Sequence, residues 1–365
     1  MPNAVDSLLP SLSRLLLTTA AAIAVIAGMR VAAPILGPVL VALAITIAWS
    51  PGSAWLRSRG WHPSLAALTG IILGIVVIGM FVALVWSSLV QLQDKLPGYQ
   101  PRIEAIQQLI REKLSDLPID SSRLFSSEVL QPASIVQYAL RLIRNLTQTA
   151  GNLFLLLLLM AFMMLEAVRY PDKLRAALAN RTGAIERFKG FAGSIRSYVI
   201  INAIFGLVVA TLQTILLFAL GVDFAILWGV LSFLLSFVPN VGFLIALVPP
   251  SLLALVEYGF GRSLTVVVGY VVLNFIVDNL IKPRFVGESL DLAPIVVVIS
   301  LIFWGWVLGP LGALVAVPLS IATKVFFESF DESRWIAHLM SDAGPKPVVI
   351  DAAGDKKGDE KVQQV

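Results

Sequence analysis

Apolar runs nearly free of charge dominate this chain, and they decide which solvent it folds in. They cover residues 12–30, 33–55, 65–89, 146–165 and 195–220. A helix needs about 20 apolar residues to cross the roughly 30 Å hydrocarbon core of a bilayer, and each run is of that order. Of the 365 residues, 58% are apolar and 14% charged, against roughly 45–50% and about 25% in a soluble domain. A soluble enzyme is not expected on that balance. The expectation is an all-α polytopic membrane protein, with each span satisfying its own backbone hydrogen bonds.

Three further apolar blocks follow, at residues 222–256, 264–281 and 292–327. At 1.5 Å per residue the first would reach about 50 Å as one helix, so it must fold back or break. The break is legible at Phe237-Val238-Pro239-Asn240-Val241-Gly242, where a helix breaker, a turn former and a permissive glycine stand together. Gly309-Pro310-Leu311-Gly312 repeats the device in the last block. The chain therefore reads as about eight membrane segments, two of them broken or re-entrant helical hairpins.

An N-in start puts the segments around Arg57 and Arg59, residues 166–196, and Lys282 with Arg284 on one side of the membrane. All three are basic, which the positive-inside rule assigns to the cytoplasm. The chain divides into N-terminal transmembrane helices (1–90), an extracytoplasmic amphipathic helical region (91–145), a core with broken helices (146–330) and a cytoplasmic, partly disordered tail (331–365). In the second region Ile103, Ile106, Leu109, Ile110 and Leu114 are spaced for one helix face. Pro97, Pro101, Pro118 and Pro132 are expected to cut it into short pieces. The expected setting is an inner membrane, crossed several times, with both termini cytoplasmic.

Little else in the chain offers chemistry. Cysteine is absent and the two histidines, His62 and His338, are far apart in sequence, so no metal and no cofactor is expected. The net charge of +4 follows from the basic loops rather than from nucleic acid. No GxxxxGK[ST], HExxH or GxSxG pattern occurs, and no catalytic residue is assigned.

Ionisable and amide side chains inside spans are costly, so they mark a solute path when they face a wet interior. Asn274, Asp278 and Lys282 recur at i, i+4 and i+8, with Asn279 beside them. Asn202 and Gln213 lie in the fifth run. Pro239, Asn240 and Gly242 complete the expected path, because a broken helix leaves backbone groups in need of partners. Pro283, Gly287, Gly309, Pro310, Gly312 and Pro318 are the expected hinge or broken-helix positions.

Phe237 to Gly242 with Pro249, then Asp278-Asn279-Leu280-Ile281-Lys282-Pro283-Arg284-Phe285-Val286-Gly287 with Leu292-Ala293-Pro294, then Gly309 to Pro318, together resemble the AI-2E family of bacterial permease-like proteins. The likeness covers roughly residues 12–330 in layout. It implies secondary transport, of autoinducer-2 or, in other members, of sodium or lithium against protons. It also implies a homo-oligomer, a pentamer, with elevator-like movement of the C-terminal helices. The chain departs from the family where Asn240 replaces an aromatic residue and Phe243 a proline.

The expectation is then export of a small polar solute by alternating access, with Asp278 as the carboxylate that burial would suit to hold a coupling proton or sodium ion. Two alternatives stand beside it: a Na+(Li+)/H+ antiporter of the same family, and a non-transporting membrane scaffold acting through the basic loop from Arg169 to Arg196. Partners are the solute, the coupling ion, the lipid bilayer and further copies of the chain.

Overall fold

A computed structural model describes residues 4–115, 154–167, 182–239, 241–286 and 292–342, together with Tyr170 and Lys173. Every regular element among them is helical. The order is α1 (Ala4–Val31), α2 (Ala33–Ser58), α3 (Pro63–Ser115), α4 (Phe154–Ala167), α5 (Thr182–Leu220), α6 (Ala225–Leu235), α7 (Val241–Tyr258) and α8 (Phe260–Phe275). A π-helical turn (Ile276–Ile281) leads to α9 (Pro283–Val286), α10 (Pro294–Leu308), α11 (Pro310–Leu314), α12 (Ala316–Glu328) and α13 (Arg334–Met340). Among the described residues, five stretches are long and apolar enough to cross a membrane, namely Ala33–Ser58, Pro63–Lys95, Lys189–Leu220, Val241–Tyr258 and Phe260–Ile281. Leu207, Ile215 and Phe218 of α5 are each more than half exposed, as lipid-facing side chains are and core side chains of a soluble protein are not. The protein is an all-α polytopic membrane protein.

Both long blocks break where the sequence expects. With 11 residues, α6 reaches only about 16 Å, well short of a crossing. A helix continued through Pro239 would drive the proline ring into the Leu235 carbonyl. Instead the chain turns through Ser236 to Pro239, and α7 folds back against α6. Only glycine fits at 242, since a Cβ there would collide with the Leu235 carbonyl oxygen. In the second block α10 stops at Leu308, and Gly309 takes φ +72, which favours glycine. Pro310 then opens α11 without needing an N–H partner.

The helices around the first break share one apolar core. Leu217, Ala254, Val266 and Tyr270 are fully buried where α5, α7 and α8 meet. Gly229 of α6 lies against α5 so closely that a Cβ would collide with Thr214 Oγ1. In lipid such contacts replace the hydrophobic effect as the force between helices.

The stretch after Lys95 differs from expectation. Rather than stopping at Pro97 or Pro101, α3 runs through both to Ser115, 53 residues in all. Each proline frees a carbonyl one turn earlier, and beyond the apolar part of α3 water can satisfy those groups. Pro118, Pro132 and the tail after residue 342 lie outside the described residues, as does most of the loop 168–181.

The α5–α6 contact gives a stability test. Gly229→Val is expected to force the helices apart and to destabilise the detergent-solubilised protein by about 1–3 kcal/mol. Gly190→Ala, where a Cβ meets nothing within 4 Å, should stay within about 0.5 kcal/mol of the parent. Thermal melting of the two variants in one detergent checks the difference.

Candidate solute cavity

A cavity of about 780 Å³ opens between α5, the α6–α7 break and the end of α8. Three hydrogen bonds shape its wall. Tyr198 Oη donates to the Phe237 carbonyl at 2.8 Å, pairing a backbone oxygen that the end of α6 leaves free. Asn202 Nδ2 donates to the Tyr198 carbonyl at 2.9 Å, which leaves Asn202 Oδ1 facing the cavity. Lys282 Nζ, arriving from the turn after α8, donates to that Oδ1 at 2.9 Å. One chain of bonds thus ties α5, the helix break and the π-helical turn together.

The π-helical turn explains how the third partner arrives. On an α-helix every fourth residue advances about 40° around the axis, so i and i+8 drift apart. Here the Lys282 N–H bonds to the Val277 carbonyl at 2.8 Å, five residues back, and the wider turn offsets that drift. Asn274, Asp278, Asn279 and Lys282 all line the cavity as a result. Asn274 Nδ2 is held by the Tyr270 carbonyl at 2.9 Å.

Two ends of the cavity differ in chemistry. At one end Gln213 is 1% and Ser232 6% exposed; the Ser232 hydroxyl faces that of Tyr270, while Gln213 Oε1 has no hydrogen-bond partner among the described residues. Buried polar atoms without partners are costly, so a polar occupant is favoured there. At the other end Asp278 and Lys282 face each other at 3.6 Å, with side chains 48% and 26% exposed. Asp278 is therefore more open than a buried coupling carboxylate, and an ion pair this exposed adds little stability.

The profile of the AI-2E family transporter family matches residues 19–332 of this chain. The chain belongs to that family. Among its relatives are the AI-2 transport protein TqsA of Escherichia coli (strain K12), 32% identical over 320 residues, 87% of this chain and 92% of that protein. A putative transport protein of Haemophilus influenzae is 33% identical over 345 residues, covering 91% and 97%. The putative transport protein YhhT of Escherichia coli (strain K12) is 27% identical over 332 residues, covering 91% and 95%. These are names of transport proteins, and the cavity lies inside the matched span.

In this AI-2E transporter Asn202, Gln213, Pro239, Asn274, Asp278, Asn279 and Pro283 all line the cavity. Gly242 stands just behind its neighbour Phe243, which lines it. Gly309, Pro310, Gly312 and Pro318 are not among the lining residues; the second break instead rests on α2, with Leu311 against Gly37. Asn240 and Gly287 lie outside the described residues. Among those described, no three His, Asp or Glu side chains come together to hold a metal ion. Sequence reasoning missed Tyr198, Ser232 and Ser236 as wall residues. The serines stand at i and i+4, Ser232 on α6 and Ser236 at its C-cap where the break begins, and that spacing was the available signal.

The unpartnered Gln213 gives stability and transport opposite signs. Gln213→Leu removes a buried acceptor, so the empty protein is expected to melt no lower than the parent and up to about 1 kcal/mol more stably. Solute-dependent flux should fall in the same variant. Melting curves with and without solute, set beside vesicle transport, check both halves.

Proposed function

We propose that the protein moves a small, polar, uncharged solute such as autoinducer-2 out of the cell by alternating access, with the cavity as its binding site. The observation that carries this reading is the unpartnered Gln213 Oε1, with the Ser232 hydroxyl on the same lining, at the buried end of a solute-sized space beside a broken helix. Broken helices allow such a site at membrane depth because their irregular backbone faces protein and cavity rather than lipid. Membership of the transporter family and the AI-2 transport protein among the relatives support the solute class. Positive-inside charge supports an orientation with both termini in the cytoplasm. The breaks at Ser236–Pro239 and at Gly309 supply hinges for an elevator-like movement of the C-terminal helices. Asp278 and Lys282 at the open end would sort solutes by charge before they reach the amide and hydroxyl groups.

The test is uptake of labelled autoinducer-2 into inverted vesicles containing the purified protein. Asn202→Ala and Ser232→Ala should each lower uptake by roughly tenfold or more, the effect of losing a hydrogen bond of about 1.5 kcal/mol. Sodium-driven proton flux without autoinducer uptake would favour the antiporter instead.

A further inference from the structure

Away from the cavity, four side chains from three elements meet where α5 turns into α6. Lys95 and Tyr99 come from α3, Asp223 from the α5–α6 turn and Glu257 from the last turn of α7. Lys95 Nζ lies 2.5 Å from Asp223 Oδ2. Tyr99 Oη lies 2.9 Å from the same Oδ2 and 2.7 Å from Glu257 Oε1. The Asp223 N–H donates to Glu257 Oε2 at 3.4 Å. From α7 and α8 the other polar neighbours are Tyr258, whose Oη donates to the Gly221 carbonyl at 2.6 Å, and Arg262, stacked 4.0 Å over the Tyr258 ring. The turn they hold is an unusual one: Gly221 has φ +71, and Phe224 has φ +60, the one positive φ outside glycine among the described residues. Such a conformation persists only where its surroundings hold it.

Hydrogen counting sets the protonation of this cluster. A phenol carries one hydrogen, yet Tyr99 Oη lies within bonding distance of two carboxyl oxygens. With both carboxyls ionised, one of those contacts would set oxygen lone pairs against each other. A proton on one carboxyl removes the conflict: Tyr99 donates to one oxygen and accepts from the other. Asp223 is the one that stays ionised. Burial pushes its pKa up, but hydrogen bonds from Lys95, Tyr99 and Glu257, and the Lys95 charge, outweigh that and hold it below the ordinary carboxylate value. The proton therefore falls to Glu257. The phenol stays protonated, since burial and then both carboxyls raise it.

We propose that Tyr99, Asp223 and Glu257 hold one proton between them, and that this proton fastens the extension of α3 beyond Lys95 to the α5–α6 turn and the end of α7. When it leaves, two negative carboxyls share Lys95, and Arg262 remains engaged with Tyr258. The Tyr99–Glu257 contact turns repulsive, and the extension loosens as pH rises. Because α5 and α6 also carry Gln213 and Ser232, the latch sits on the helices that build the cavity, whatever solute the cavity takes.

The chain has no cysteine, so probes can be placed without background. Gly98 and Gly261 are positions where a Cβ meets no heavy atom within 4 Å. Gly98→Cys/Gly261→Cys carries a spin label on the α3 extension and one at the start of α8. Double electron–electron resonance in nanodiscs, with labelled chains diluted by unlabelled ones, reads their separation from about pH 5 to about pH 9. The expected result is one short distance at acid pH and a growing longer population as pH rises. Glu257→Gln, whose amide donates in place of the carboxyl, should keep the short distance throughout, and Tyr99→Phe should show the longer one at both ends. A distribution in the unsubstituted background that does not change with pH, or a Glu257→Gln protein that follows it, overturns the proposal. Unchanged helix content and elution volume confirm that each variant is folded.

Discussion

Inside a bilayer a backbone carbonyl freed from its helix has no water to bond with, and this constraint organises the whole region between residues 198 and 286. Ending α6 at Leu235 leaves backbone groups without helical partners. The Phe237 carbonyl finds Tyr198 Oη, and the Gly242 N–H finds the Val238 carbonyl at 3.0 Å. Tyr198 must then stand opposite the break, which fixes how α5 lies against α6. Asn202, one turn further along α5, is brought to the same wall and meets Lys282. The cavity is the space that remains once these groups have been satisfied.

Much of this was legible before any coordinates. Pro239 and Gly242 mark the first break, and Gly309 with Pro310 the second, because a missing N–H and a tolerated positive φ are properties of single residues. Asn202, Gln213, Asn274 and Asp278 stood out because amides and carboxylates are rare in apolar runs. What could not be read was pairing across the fold. Nothing local says that Tyr198 Oη faces a carbonyl 39 residues away, or that Lys282 reaches 80 residues back to Asn202. The π-helical turn was also hidden, since Ile276 to Ile281 holds no proline or glycine to mark a departure from an ordinary α-helix. Pro97 and Pro101 misled in the opposite sense: the rule that proline ends a helix is weaker where water can take over the freed carbonyls.

The two breaks share a sequence device but sit in different surroundings. The first borders a space lined by polar side chains, among them Gln213 with its unpartnered Oε1, whereas the second presses Leu311 against Gly37 of α2. At the second break the short α11 turns the chain within protein, and a Cβ at Gly312 would collide with the Trp304 carbonyl oxygen. Similar local chemistry therefore serves an open wall in one place and close packing in the other. Position in the bundle, which no motif encodes, decides between them.

Close packing also limits how the cavity can change shape. The contact between Gly229 and Thr214 leaves no room for α6 to slide over α5, and interiors of this density deform little. A change in the wall must then arise where the chain already departs from regular helix: the turn at Gly221 to Phe224, the break at Ser236 to Pro239, and the π-helical turn. Two of these three border the cavity directly. The remaining one carries the strained Phe224 backbone and the charged cluster with α3, so its geometry depends on side chains outside the apolar core. Under the proposed latch, a shift at the outer turn would reach Gln213 and Ser232 through rigid helices joined at these three irregular points, without any change in the helices themselves.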